Sequence, residues 1–338
     1  CGMVVIRLPD PEYAEPFRAY SNYMVDLASE IGGQFGWGRK SLVEGVMDGM
    51  SLHLGSVNID RRKLDSSAES ALKKSMTKSW ANLRRLRREV DDIDSFDEDT
   101  NAWLPVQAYY AVYDAVRSLA IASNQPVPRD HRRALNLASR SVERGLFPYP
   151  WSMHCVGCPQ TGSHSFPTSG PHGRVHALSN PDPDTAVDRL AMFLRTTRAK
   201  ELERRFSEDR KKKVAPGRQR RNLSIDDKEA IAARLAPTTV FDLFWRLRTK
   251  ANYDDADTFV LGAAGVADAR AFADSLAIVA DASVAAIEGL VVAYVGPDLV
   301  GDFASSYQMK VRADVGSPVA VRAALHGSHV GTQPEAPF

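Results

Sequence analysis

The sequence predicts an all-α protein: a helical bundle with an N-terminal helical extension and a long insertion containing cysteine and histidine. Three observations predict it. Apolar residues recur at intervals of three and four over most of the chain. The gaps between these runs hold cap residues, glycines and prolines. Strands nowhere alternate with helices, which argues against parallel-sheet nucleotide-binding folds, and no internal repeat is present. Hydrophobic residues make up 44% of the 338, enough to fill a core without covalent staples.

The elements follow in order. Residues 4–8 have the character of a short extended piece. Phe17, Tyr20, Met24, Leu27 and Ile31 then mark an amphipathic helix over 16–32, which the Gly32-Gly33 pair stops. A second helix, 66–93, opens with Ser66 and Glu69 at capping-box spacing and carries Leu72, Met76, Trp80, Leu83, Leu86, Val90 and Ile93 on one stripe. After an acidic link at 97–101, residues 103–123 form a third helix, with Pro105 tolerated in its first turn. Asp130 caps a fourth helix bearing Leu135, Ala138 and Val142, which Gly145 ends. Periodicity disappears over 147–183, so something other than an apolar stripe must order that stretch. It returns at 184–206 and passes into a basic run, 210–221, expected to be a mobile surface loop. Ser224 with Asp227 starts a short helix, and Thr238 or Thr239 starts the next, with Phe241, Phe244, Trp245 and Leu247. Residues 267–295 are apolar on nearly every side, the mark of a central buried helix. The tail beyond Pro297 is weakly patterned. The domain plan is therefore an extension at 1–65, a bundle over 66–295 interrupted at 147–183 and 207–223, and a tail at 296–338.

Aromatic and charged residues concentrate in two of these helices. The third holds Tyr109-Tyr110-Ala111-Val112-Tyr113 and then Asp114 and Arg117. Much later Arg246-Leu247-Arg248-Thr249-Lys250-Ala251-Asn252-Tyr253-Asp254-Asp255 closes a helix, and the long apolar helix follows. In this succession the chain resembles the HEPN superfamily over about residues 68–295. The resemblance implies a four- or five-helix bundle that dimerises with its Arg motifs facing each other, and metal-independent RNA cleavage in prokaryotic stress, antiviral defence or toxin systems. The residues it selects are Arg246, Arg248, Asn252, Asp254 and Asp255. One of them departs from the family: Asn252 stands where a catalytic histidine is expected, and an amide does not titrate near neutral pH. If the site acts, an arginine stabilises phosphate charge and Asp254 or Asp255 handles protons. Otherwise Arg248, Asp254 and Asp255 are helix-terminal charge pairs, and Tyr253 packs.

Within the unpatterned stretch lie His154, Cys155, Cys158, His164, His172 and His176. Two thiols separated by two residues can meet one tetrahedral ion. A structural zinc on Cys155 and Cys158, with His164 and His176, would order the loop; His154 and His172 remain alternatives for the last two ligands. The other readings are two incidental thiols or, less favoured, a redox pair, which needs a strand and helix around it. His131 reads as a surface or capping histidine.

The charge of +1 at pH 7 points to no partner, so its distribution matters more. Opposite the apolar stripe of the second helix lie Lys73, Lys74, Lys78, Arg84, Arg85, Arg87 and Arg88. The basic run supplies Arg210, Lys211, Lys212, Lys213, Arg218, Arg220 and Arg221. Two such clusters are an electrostatic footprint for RNA or another polyanion, with Arg84, Arg85 and Arg88 and the residues of the basic run from Lys211 onward as contacts. Aromatics are not interleaved with these residues along the chain, so base stacking is not indicated. No stretch reaches the uninterrupted apolar length of a membrane span, and no secretory pattern opens the sequence, so the expected location is cytoplasmic. The sequence thus supports an RNA-binding or RNA-cleaving protein, or alternatively a catalytically silent scaffold that dimerises and docks a protein partner through a zinc-ordered loop.

Overall fold

In the computed structural model, which describes residues 10–36, 42–92, 98–169, 175–176, 185–211, 213–215, 218–219, 222–254 and 257–311, helices dominate. The side chains of residues 98, 99, 175, 176, 213–215, 218, 219, 253 and 254 lie outside that description. The described residues divide into two compact units. One comprises Cys1–Ala134 with Leu247–Phe338, the other Leu135–Arg246.

The first unit is built from α1 (Pro11–Phe35), α2 (Leu42–Leu54), α3 (Ser66–Asp91), α4 (Leu104–Ala122), the start of α5 (His131–Glu143), the end of α8 (Phe241–Thr249), α9 (Asp257–Leu261), α10 (Val266–Val295) and α11 (Pro297–Val311). Asp10 caps α1, its carboxylate accepting from the Glu12 amide at 3.0 Å. The predicted start of the second helix is corrected by one residue. Asp65, not Ser66, is its cap, accepting from the Ala68 amide at 2.8 Å.

Helix α10 is the axis of this unit, and α1, α2, α3, α4 and α11 all pack on it. By length and composition α10 could cross a membrane, contrary to the expectation from uninterrupted runs, but 83% of its most apolar window is buried in the protein. Serines let α3 approach α4 closely: the Ser75 and Ser79 hydroxyls donate to the Asp114 and Ala111 carbonyls at 3.0 and 2.7 Å. Two acids on α10 are buried, each facing α3. Trp80 Nε1 donates to Glu288, and Arg87 pairs with Asp281, both at 3.5 Å.

Three helices went unread in the sequence: α2, the short α9 and α11. Gly45 and Gly49 lower the helical propensity of α2, yet they are what let it pack. A Cβ at Gly45 would stand 2.2 Å from the Phe35 carbonyl oxygen, and one at Gly49 would stand 2.4 Å from the Phe35 ring. In α11, Val300, Phe303, Ala304 and Tyr307 are buried at helical spacing in what looked like a weakly patterned tail.

The second unit departs from the all-α expectation. The stretch without period holds β1 (His154–Cys158), β2 (Ser163–Pro167) and β3 (Val175–His176). With β6 (Thr238–Thr239) they form an antiparallel sheet in the order β3-β2-β1-β6. Thr238 and Thr239 are therefore strand residues. The helix they were expected to start begins at Phe241, with Asp242 turned back to accept from the Thr239 amide at 2.7 Å. Helices α6 (Ala186–Lys211) and α7 (Ile225–Ala233) pack on β1, and α7 has the expected Ser224–Asp227 capping box. The basic run contributes a two-stranded ribbon, β4 (Lys213–Ala215) with β5 (Arg218–Gln219).

What orders this unit is a buried arginine. Arg198 of α6, 2% exposed, donates to three carbonyls: Gly157 at 2.6 Å, Ala236 at 3.0 Å and Ala232 at 3.0 Å. It ties a strand, the end of α7 and the segment before β6 to one guanidinium. The Ala232 carbonyl also accepts from the Leu235 amide at 3.2 Å, so the guanidinium adds to that bond and supplies donors to Gly157 and Ala236.

Candidate functional site

Almost the whole circumference of α4 is buried, because α3 and α10 both pack on it. Tyr110, Tyr113, Arg117 and Ile121 escape. Spaced by three and four, they form one half-exposed stripe, with Tyr109 beneath it, 2% exposed. The rings of Tyr109 and Tyr113 stack at 5.8 Å, and Tyr110 meets Tyr109 edge-on at 5.4 Å.

Two groups from distant sequence join these tyrosines. Arg248, 6% exposed, holds its guanidinium carbon 5.5 Å from the centroid of Tyr109 and 5.6 Å from that of Tyr110. A cation against the electron-rich faces of two rings is favourable in its own right. Arg117 lies over Tyr113 at 5.9 Å, so arginines and tyrosines alternate along the cluster. The second arrival is His131. Asp130 caps α5 by accepting from the Arg133 amide at 2.9 Å, and this places His131 at the head of the helix. Its Nδ1 is 2.6 Å from the Tyr109 hydroxyl, and its ring lies 5.2 to 6.3 Å from all three tyrosines.

The electrostatics follow from partial burial beside a fixed cation. Burial, and then the charge of Arg248, lower the pKa of His131 against the opposing pull of Asp130, so the ring is neutral at pH 7. Burial pushes the Tyr109 phenol well up, and it keeps its proton. Asp114 is raised by burial, with Lys78 and Arg117 opposing. The arrangement offers aromatic faces, fixed positive charge and one imidazole held in its neutral form by burial and by Arg248.

The residues selected from the sequence do not all gather here. Arg248 does. Arg246 is engaged within the second unit, donating to Thr196 and Thr197 at 2.9 Å each and lying 5.2 Å from the Phe193 centroid. Asn252 is half-buried in a π-helical turn, Lys250–Asp254, that packs beside α4. The backbones of Tyr253 and Asp254 belong to that turn, and Asp255 lies outside the described residues. His131, read as a surface or capping histidine, is the member that the sequence did not bring forward. Only its place directly after a capping Asp could have hinted that its position is fixed.

The cysteine thiols have partners of their own: Cys158 donates to the Gln160 side-chain oxygen at 3.6 Å and Cys155 to the Val156 carbonyl at 3.8 Å. Cys155 and Cys158 are both fully buried on β1. Cys158 packs with Leu202, Phe206 and Ala232. Burial pushes the Cys155 thiol up to about 12, against the pull of Arg198 and Arg195. His164 is half-buried on β2, paired with Gly157, and His154 Nδ1 lies 2.9 Å from the Ser152 carbonyl. His176 is on β3, and His172 lies outside the described residues. Among the described residues no three His, Cys, Asp or Glu side chains converge to hold a metal ion.

Of the basic residues, Arg85 and Arg88 are exposed on α3, and Arg84 is half-buried with a 3.5 Å hydrogen bond to the Val311 carbonyl. Lys211 is exposed at the end of α6. Lys213 and Arg218 sit on the β4–β5 ribbon; Lys212, Arg220 and Arg221 lie outside the described residues.

The comparisons with known proteins leave this cluster to speak for itself. No protein-family model, curated protein or solved structure matches the chain.

Proposed function

We propose that the chain is a HEPN-like RNA-binding protein and that the tyrosine–arginine face of α4 is where RNA sits. The observation that carries this reading is Arg248 seated on Tyr109 and Tyr110, beside a half-exposed stripe of Tyr110, Tyr113 and Arg117. Tyrosine faces stack with any base, and guanidinium groups pair with phosphate. The helix that brings Arg248 to the tyrosines is the one whose ending resembles the HEPN motif. Exposed Arg85 and Arg88 on the neighbouring α3 add a sequence-independent attraction for the backbone.

The test is fluorescence anisotropy with a labelled single-stranded RNA. Tyr110→Ala should weaken binding about 5- to 150-fold, the equivalent of ~1–3 kcal/mol for a lost stacking platform. Arg117→Ala should weaken it and flatten its salt dependence. Affinity unmoved by both variants would end the reading. Asn252 favours a second reading, a catalytically silent scaffold that docks a protein partner. In that case the parent shows no affinity for RNA at low salt.

A further inference from the structure

We infer that a single strand of RNA lies lengthwise along the groove between α3 and α4, its bases on the tyrosines of α4 and its phosphates on a row of cations on α3 that includes Lys74 and Lys78. This rests on the RNA-binding reading above and deepens it, giving the strand its form and the backbone its path.

Lys74, Lys78, Arg85 and Arg88 are all exposed on α3. Their spacing places them on one face of the helix. Trp80 and Arg87, which reach Glu288 and Asp281 of α10, leave from the opposite side. Lys73 leaves from a third, its Nζ 5.6 Å from the ring centroid of Phe303 on α11. Two hydrogen bonds fix how the exposed face meets α4. Ser75 donates to the Asp114 carbonyl and Ser79 to that of Ala111, so the helices run antiparallel and the turn from Lys74 to Lys78 lies level with Ala111–Asp114. Tyr110, Tyr113 and Arg117 leave α4 at that level. Their side too is the one away from α10, since Ala115, on the other side of α4, shares a small cavity with Val284 and Ile287 of α10.

Asp114 joins the two sides. Burial raises its carboxyl pKa, and Lys78 and Arg117 oppose the rise. Arg117 approaches it at 3.9 Å. One buried acid, 7% exposed, thus keeps a cation from each helix at the edge of the tyrosine stripe. Lys74 and Lys78 are about 6 Å apart along the axis at 1.5 Å per residue, a spacing that serves neighbouring phosphates. Their ammonium groups are point charges on flexible stems, suited to a backbone whose sequence is not read. The tyrosines decide the form of the strand. The rings of Tyr110 and Tyr113 stand at 90° with centroids 6.3 Å apart, so bases lying on both cannot stay parallel. A duplex keeps its bases stacked and paired and cannot meet that arrangement. A single strand with its bases splayed out can.

The experiment is fluorescence anisotropy of the full chain with a labelled single-stranded RNA over a range of salt concentrations. It is repeated with a fully paired RNA duplex of the same sequence, and with inorganic polyphosphate as an unlabelled competitor that has the charge without the bases. Lys74→Gln and Lys78→Gln should each make the salt slope shallower by about 0.7, and the double variant by about 1.4. Lys73→Gln, an equal loss of charge on the same helix, should leave the slope in place. The duplex should bind more weakly than the single strand, and polyphosphate should compete less well than unlabelled RNA. Melting curves for each variant check that it is folded. A slope lowered as much by Lys73→Gln as by Lys78→Gln is diffuse attraction and overturns the inference. A duplex or polyphosphate held as tightly as the single strand overturns it as well. Binding that depends on Tyr110 but ignores both lysines overturns it and spares the binding reading. A parent that binds no RNA overturns both.

Discussion

Replacing Arg198 with methionine tests what holds the second unit together. Methionine keeps much of the stem's volume and removes the guanidinium, so three carbonyls, those of Gly157, Ala232 and Ala236, lose a donor inside the protein. A hydrogen bond to a charged group is worth about 1.5–3 kcal/mol, and a carbonyl left buried without a donor costs about 1–3 kcal/mol. Taking three independently would overshoot, because one cation makes all three and its own desolvation is relieved by the change. Burial already lowers the Arg198 pKa, opposed by Cys155, Asp242 and Cys158. Breaking a buried charged network typically costs about 3–5 kcal/mol, and that is the expected loss. The assay is native-state hydrogen exchange, since two compact units need not melt together. Amides of β1 and of α7 should lose about two to three and a half orders of magnitude in protection, while those of α3 and α10 keep theirs. The reasoning fails if Arg198→Met leaves β1 protected but a chelator, or Cys155→Ser with Cys158→Ser, strips that protection. Metal found by elemental analysis in the same preparation would then identify zinc as the organiser.

Asp242 gives a pH dependence of known sign. Its carboxyl is raised to about 6, chiefly by burial and against the hydrogen bonds from Thr239. A native pKa above the unfolded one means stability present at low pH is lost as pH rises from about 4 to about 6. Because the residue is only half-buried, about 1–2 kcal/mol is at stake. Asp242→Asn, whose amide oxygen can still accept from Thr239, should flatten that slope in exchange-protection profiles of the second unit; an unchanged slope assigns the effect elsewhere. Gly45→Ala sets propensity against packing: alanine gains about 1 kcal/mol in a helix, but its Cβ would meet the Phe35 carbonyl oxygen at 2.2 Å. Backbone does not yield cheaply, so net destabilisation of about 1–2 kcal/mol is expected in urea unfolding, and a stabilised variant would show that α2 and the end of α1 slide apart freely. Finally, doubly neutralising Arg85 and Arg88 should reduce the salt slope of binding to single-stranded RNA by about 1.4. A slope that stays put would remove α3 from the RNA path.

Sequence periodicity located α3, α4 and α10 because each is long and each buries a continuous stripe or its whole circumference. It missed α2, where glycines chosen for close approach to Phe35 read as helix breakers. It also missed the sheet, whose strands of two to five residues are too short to show alternation. For the candidate site, the sequence brought forward Arg248 and the tyrosines of α4 as motif members. It placed Arg246 with them, whereas the structure commits that side chain to Thr196, Thr197 and Phe193. Base stacking was set aside because aromatics are not interleaved with the residues of the two basic clusters along the chain. Folding supplies the interleaving by laying Arg248 on rings more than a hundred residues earlier.

What the residues alone determined is local: which long segments wind into helices, where Asp130 and Ser224 are able to cap them, and that α10 must be covered. These follow from hydrogen bonds and side-chain periods within a few residues of each other. What only the tertiary structure decided is which polar groups meet. Arg198 finds three carbonyls and His131 finds Tyr109, because buried donors and acceptors must be satisfied wherever packing happens to leave them, and no spacing in the sequence records those distances.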